Sequence, residues 1–279
     1  MKSIALAALV AGTAAVPAIS QQGDLPIAVQ MYTLRDYGPL EQQLQAVSDA
    51  GIAHVETFGM DEVDLDAFSE ALDEYGIEVI SDHAGIDRLR DDLDAVVEMN
   101  RAIGNDTITV PYLEEADRPT DAEGWRMLGE ELAGYAETLA AEDMRLAYHN
   151  HDFEMRQYDG RTGLEILFEA AGPDVLAELD LAWIDRGGQD PAAFLSMMGE
   201  RVFAIHAKDN APEGENEDQR GFAAVGEGTL DWDAILAAAT EAGVEWYIIE
   251  HDQPADAAAQ IATGADYLRE ALPGAMSQQ

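Results

Sequence analysis

A pattern that recurs from residue 26 to near the end of the chain most constrains the fold. A short run of β-branched and aromatic residues is followed by polar residues, and then by a stretch with apolar residues three and four positions apart. The runs predict eight strands, at residues 27–32, 54–58, 79–82, 107–111, 146–149, 175–179, 202–206 and 246–249. Strands that alternate with amphipathic helices pair in parallel, because each helix carries the chain back to the same end of the sheet.

Glycines mark several of the predicted helix-to-strand junctions, at Gly51, Gly76, Gly104 and Gly243. Glycine at these positions suits the left-handed conformation that ends many helices. Eight such units in about 250 residues predict a single α/β domain, a closed (β/α)8 TIM barrel. The alternative is an open, doubly wound sheet, but residues 32–36, after the first strand, contain no glycine for a nucleotide-binding loop.

The charge balance argues against two classes of partner. Asp and Glu total 56 against 15 Lys and Arg, which gives a formal net charge of −41. A surface this acidic repels nucleic acids and anionic lipids, so we expect neither nucleic acid nor membrane as a partner of the mature protein. The chain contains no cysteine, which excludes disulfides and iron–sulfur clusters and leaves His, Asp, Glu and carbonyl oxygens as metal ligands.

The first 20 residues have the composition of an export signal. Lys2 precedes an apolar run over residues 4–16, and Ala18 and Ser20 are small residues at the positions that a signal peptidase recognises. We therefore predict that residues 1–20 are a signal peptide and that residues 21–279 form one domain. The mature protein would be periplasmic or secreted.

Histidines and carboxylates collect at the carboxyl ends of the predicted strands, where barrels of this kind carry their active sites. A carboxylate at a buried strand end is costly unless it is paired or bound to a metal. Imidazole together with carboxylate suits Mn²⁺, Co²⁺, Zn²⁺ or Mg²⁺. The pattern therefore predicts a site for one divalent metal ion, with Asp180, His206 and Glu250 among its ligands.

The segment after the fifth strand supplies candidates for two further roles. We predict Glu154 as a further metal ligand, with His149 as its competitor, because strand parity no longer fixes direction beyond the strand. A histidine with a near-neutral pKa can remove a proton from a substrate, and this catalytic role is predicted for His149 or His151.

The remaining candidates would contact the substrate. Lys208 shares a strand face with His206 and could stabilise an enolate oxygen or bind the substrate; the alternative is a salt bridge with Asp209 or Glu250. Trp183 offers a flat wall on which a sugar ring can stack. The residues predicted to bind substrate are Tyr32, Glu56, His83, Trp183 and Asp209.

The order of these segments resembles the sugar phosphate isomerase/epimerase family, the xylose isomerase-like barrels that also include a DNA-repair endonuclease branch. The resemblance covers residues 26–272 and rests on residues 29–35, 148–154, 180–183, 206–209, 226–232 and 249–252. It implies one divalent ion held by two Glu, one Asp and one His, and Asp180, His206 and Glu250 match three of these. The fifth strand departs from the family, because it ends in a His-Asn-His segment where the family has Glu.

The resemblance implies a sugar isomerase, epimerase or lyase that removes a proton next to a carbonyl, with Lys208 and the metal holding the enediolate. The His-Asn-His segment is similar to a branch with inosose dehydratase-like proteins and exported proteins acting on 3-keto-glycosides. Dehydration and glycoside cleavage therefore remain open, and so does a homodimer. A non-catalytic periplasmic sugar-binding protein and a glycosidase with two carboxylates are the alternatives from other classes.

Overall fold

The computed structural model of the chain describes residues 25–60 and 63–276, so the predicted signal peptide lies outside the described residues. Eight parallel strands close into a barrel in the order β1-β8-β7-β6-β5-β4-β3-β2. This confirms the predicted (β/α)8 fold. The strands are β1 (Ile27–Gln30), β2 (His54–Phe58), β3 (Glu78–His83), β4 (Thr107–Val110), β5 (Arg145–His149), β6 (Val175–Asp180), β7 (Val202–Ala207) and β8 (Trp246–Ile249).

Helices cross over between successive strands and pack on the outside of the barrel. Glycines in the left-handed conformation end two of them, Gly76 with φ 64° and Gly243 with φ 76°, as the sequence predicts. The helices are α1 (Leu40–Asp49), α2 (Leu65–Tyr75), α3 (Ile86–Ala102), α4 (Ala122–Ala140), α5 (Gly163–Ala171), α6 (Leu181–Arg186), α7 (Pro191–Met198), α8 (Trp232–Ala242) and α9 (Ala257–Met276). Within the described part of the chain, none of these helices has the length and apolarity of a membrane span.

The interior of the barrel changes from apolar to polar along the strands. Small and apolar side chains, among them Ala147, Ala204 and Ile248, form a buried cluster that is separate from the larger core. Side chains alternate across a strand, so residues two positions later point to the same face. At those positions stand His149, His206 and Glu250, which places the polar residues at the carboxyl end of the barrel.

The acidic surface is expected to make the stability of this fold depend on salt. With a net charge of −41, the surface carboxylates repel one another. Salt shortens the range of that repulsion from about 10 Å at 0.1 M to about 3 Å at 1 M. We expect the Tm to rise by roughly 5–10 °C over this range of NaCl, measured by differential scanning fluorimetry. Choline chloride of equal ionic strength should give the same rise, whereas an unchanged Tm would contradict the expectation.

Candidate metal centre and cleft

A cleft of about 650 Å³ opens at the carboxyl ends of the strands. Tyr32 and Trp183 are among its aromatic wall residues. Apolar faces with convergent polar groups are typical of sites for small molecules. Six of the predicted site residues line the cleft, namely Tyr32, His83, His149, His151, Trp183 and Glu250.

Three of the predicted metal ligands converge at the floor of the cleft. His206 Nδ1 lies 3.9 Å from Asp180 Oδ2 and 3.7 Å from Glu250 Oε2, a spacing that would allow the three side chains to share one ion. His149 is a further candidate donor, because its Nε2 lies 3.9 Å from the same Asp180 Oδ2, although it is outside the group of three whose ligand atoms all lie within 4.8 Å of one another. All four side chains are buried. We call His149, Asp180, His206 and Glu250 the metal donor set.

A buried carboxylate orients each histidine of the metal donor set from behind. His149 Nδ1 donates to Glu178 Oε1 at 2.9 Å, and His206 Nε2 donates to Glu56 Oε2 at 2.9 Å. This arrangement is usual for metal-binding histidines, because it fixes the tautomer and aims the other nitrogen at the ion. In the part of the chain that the structure describes, His206 Nδ1 is buried without a hydrogen-bond partner, and Asp180 Oδ2 has none besides its ion contact with Lys208 Nζ. The residues therefore fit a divalent ion.

Glu56 and Glu178 form a layer behind the metal donor set, and His83, which lines the cleft, contacts both of them. His83 Nε2 lies 3.0 Å from Glu56 Oε2 and 2.9 Å from Glu178 Oε1. Both carboxylates are fully buried and absent from the cleft lining, so Glu56 does not have the predicted position for binding substrate. His83, His149, Glu178 and His206 also have metal-ligand spacing. Glu178 is hydrogen-bonded to His83 and His149, which favours a supporting role for Glu178 and His83.

The charges of this layer are coupled. Burial would raise the pKa of both carboxyls, and Glu56 raises that of Glu178 further, yet the neighbouring histidines hold both pKa values below the usual range. Burial would lower the pKa of His83, but Glu56 and Glu178 raise it to about 10. Burial would also lower the pKa of His206, but the neighbouring carboxylates, Glu178 foremost, raise it well above its usual value. A metal ion that binds His206 would therefore have to displace a proton. Burial, with His206 nearby, lowers the pKa of His149 and keeps that ring neutral.

Lys208 is buried beneath the cleft and does not line it. Its Nζ donates to Glu250 Oε2 at 2.6 Å and to Asp252 Oδ2 at 2.7 Å, and it forms an ion contact of 2.8 Å with Asp180 Oδ2 without hydrogen-bond geometry. Burial would lower the pKa of Lys208, but the three carboxylates, Asp180 foremost, raise it above its usual value. The alternative of a salt bridge with Glu250 therefore describes its position better than direct binding of substrate.

Asp209 lies away from the cleft, so the prediction that it binds substrate is not supported by its position. Its carboxylate accepts hydrogen bonds from the backbone N–H of Gly226, Gly228 and Leu230 and, at 2.8 Å, from Trp232 Nε1. These bonds fix the loop that leads into α8. The physical reason is that Asp209 follows the end of β7 at Ala207, where its carboxylate is held by these backbone and indole N–H groups.

Glu154 lies outside the metal donor set, in a short 3-10 helix at Phe153–Met155. This turn directs the carboxylate to the Tyr148 hydroxyl and the backbone N–H of His151, both at 2.9 Å. Burial raises the pKa of Glu154 to about 8. Its position therefore does not support its predicted role as fourth ligand, whereas the competitor His149 lies beside Asp180.

Glu154 is expected to make the fold less stable as the pH rises from about 5 to about 8. The folded chain holds this proton up to a pKa of about 8 against a usual value of 4.5, so the free energy of unfolding falls across that window. Glu154→Gln is uncharged and can still accept from the N–H of His151. The variant should lose this pH dependence and be a few kcal/mol more stable than the parent above pH 8, measured by urea unfolding. Equal pH profiles for the two proteins would contradict the assignment.

His151 has a suitable position for accepting a proton from a ligand in the cleft. Its ring lies 5.3 Å from that of Trp183 and 5.0 Å from that of Tyr112. Burial and the positive charge of Lys208 lower the pKa of His151 to about 3, below the near-neutral value expected from the sequence, so the ring is neutral at physiological pH. Within the described residues its Nδ1 has no hydrogen-bond partner. Negative charge that develops on a bound ligand would raise this pKa during proton transfer.

The fold and this site define a (β/α)8 barrel with a cleft above a buried cluster of histidines and carboxylates suited to a divalent ion. The family described as xylose isomerase-like TIM barrel matches residues 44–271, and the chain belongs to this family. The resemblance inferred from the sequence segments is thereby confirmed.

Three known proteins illustrate the relationship. The chain is 26% identical to the rhizopine catabolism protein MocC of Rhizobium meliloti, over 77% of this chain and 75% of that protein. A sugar phosphate isomerase/epimerase from Parabacteroides distasonis has a similar structure, with TM-score 0.77, 19% identity, and coverage of 90% of this chain and 96% of that one. The IolI protein, whose structure contains a bound zinc atom, is similar with TM-score 0.73 and 17% identity, over 91% of this chain and 100% of that one.

Proposed function

We propose that the protein is a divalent-metal-dependent sugar isomerase, epimerase or lyase that removes a proton next to a carbonyl group. The observation that carries this proposal is the pair of histidines, each held from behind by a buried carboxylate and facing the carboxylates of Asp180 and Glu250 under the cleft. The sugar phosphate isomerase/epimerase of similar fold and the zinc atom in the IolI protein support it.

The metal donor set would hold the ion, and its imidazole and carboxylate donors suit Mn²⁺, Co²⁺, Zn²⁺ or Mg²⁺. A divalent ion bound there supplies Lewis-acid chemistry, which makes a C–H next to a carbonyl acidic. Glu56 and Glu178 keep His206 and His149 oriented toward the ion. The burial of the whole set excludes bulk water and strengthens its electrostatic interactions.

The side chains around the cleft bind the sugar and move the proton. Trp183 and Tyr32 offer aromatic faces to a sugar ring, and the Trp183 indole N–H has no hydrogen-bond partner among the described residues. His151, neutral and at the cleft wall, accepts the proton from the carbon next to the carbonyl. Delivery of a proton to the other carbon of the enediolate gives an isomer, and delivery to the opposite face of the same carbon gives an epimer. Departure of the oxygen substituent β to the carbonyl, with its bonding electron pair and as water or an alcohol after protonation, gives dehydration or glycoside cleavage.

Exchange of substrate protons with solvent tests the proposal whichever product is formed. The metal-loaded protein is incubated in D₂O with a panel of keto-sugars and keto-glycosides, and deuterium next to the carbonyl is followed by NMR. Incorporation that stops when the metal is chelated supports proton abstraction. Binding of a sugar without any exchange or turnover would instead indicate a sugar-binding protein.

A further inference from the structure

Lysine is rare in this chain, and one of its lysines, Lys208, is buried beneath the cleft. Lysine occurs only at Lys2 and Lys208, and the rest of the 15 Lys and Arg residues are arginine. A lysine ammonium is a compact point charge with three N–H donors, unlike the planar guanidinium of arginine. At Lys208 these properties match three buried carboxylates, since Nζ lies within 2.8 Å of Asp180, Glu250 and Asp252.

The ammonium contacts the same oxygen atoms that would bind the ion. Asp180 Oδ2 and Glu250 Oε2 face the free ring nitrogen of His206, and both also contact Lys208 Nζ. Asp252 contacts Lys208 but does not belong to the metal donor set, and its other oxygen lies 3.5 Å from Arg220. One ammonium and one divalent ion together balance the three carboxylates.

We propose that Lys208 is a built-in competitor of the metal ion for Asp180 and Glu250, and that it limits how tightly the centre holds the ion. This inference rests on the proposed function, because it concerns the metal donor set. Without the ion, Lys208 neutralises carboxylates that would otherwise be buried unpaired charges. With the ion bound, Asp252 keeps Lys208 nearby, and the repulsion between the two cations weakens metal binding.

The test measures the affinity of the full chain for Mn²⁺, by competition with a chelator of known affinity. Lys208→Met should bind Mn²⁺ at least about tenfold more tightly than the parent, because a neighbouring positive charge is removed. Without metal the variant should also have a lower Tm than the parent. The matched control is Arg220→Gln, which removes a charge near Asp252 that does not contact Asp180 or Glu250; its affinity should change by less than about threefold.

A second measurement needs no variant. In a chain labelled with ¹⁵N at the lysine ammonium, only Lys2 and Lys208 give signals. Zn²⁺, which is diamagnetic, should shift the Lys208 signal and leave that of Lys2 in place.

Tighter Mn²⁺ binding by Lys208→Met, together with the shift of the Lys208 signal in the parent, supports the proposal. Equal or weaker Mn²⁺ binding by a folded variant overturns it while leaving the metal centre intact, and so does an unmoved Lys208 signal in a parent that binds Zn²⁺. If neither parent nor variant binds metal, both this proposal and the proposed metal dependence are overturned.

Discussion

Replacing His151 by alanine is expected to lower the rate of substrate deuterium exchange by about 10²- to 10⁴-fold, the usual contribution of a general base. The ring lines the cleft, is neutral, and has an unpartnered nitrogen within the described part of the chain. Its nitrogens are outside the metal donor set, so the variant should bind the same amount of metal as the parent. The measurement is the NMR exchange assay at saturating substrate, with metal content determined on the same sample.

His54→Ala is the matched control for this change. His54 stands at the start of β2, at the opposite end from the cleft, where its ring lies 4.6 Å from that of Trp246. Its removal should leave exchange unchanged. Full exchange activity in His151→Ala would show that another group accepts the proton.

A divalent ion is expected to raise the Tm of the protein by roughly 10 °C when it is present at about 1,000 times its dissociation constant. Ligand binding to the folded state alone at that excess contributes about 4 kcal/mol, and each kcal/mol shifts the Tm of a domain of this size by about 2–4 °C. Asp180→Asn should abolish the shift. The substitution is conservative, because the asparagine oxygen can still accept the hydrogen bond from Trp183 N that caps α6.

Thermal melts with Mn²⁺ and with excess chelator check this expectation. The shift should be present in the parent and in Glu154→Gln, since Glu154 lies outside the metal donor set. An equal shift in Asp180→Asn would mean that the ion binds elsewhere on this acidic surface.

The fold could be predicted because the signals are local. Strand runs, amphipathic spacing and junction glycines such as Gly76 and Gly243 each act within a few residues. The predicted strands agree with the observed ones to within two residues at each end. Closure of the barrel follows from the presence of eight strand–helix units, so it can be predicted without knowing which side chains contact one another across the barrel.

The site was predicted in part, and its departures have physical causes. Asp180 and His206 meet because they are register partners on neighbouring strands. Asp209 lies beyond the end of β7, where the direction of a side chain could not be inferred from the strand pattern. Glu178 stands two residues before Asp180 and therefore points to the same side of the strand. The sequence does not show that its carboxylate lies below the metal donor set and orients His149. Glu154 could not be placed, because a turn after a strand can direct a carboxylate either to the cleft or to a neighbouring hydroxyl.

The metal content of the purified protein tests the central claim most directly. Elemental analysis should find about one divalent ion per chain in the parent and in Glu154→Gln after loading with Mn²⁺ or Zn²⁺ and desalting. The Asp180→Ala/His206→Ala double variant, checked for folding by circular dichroism, should contain none. An absence of metal from the parent, or metal retained in full by the folded double variant, would contradict the assignment of this centre.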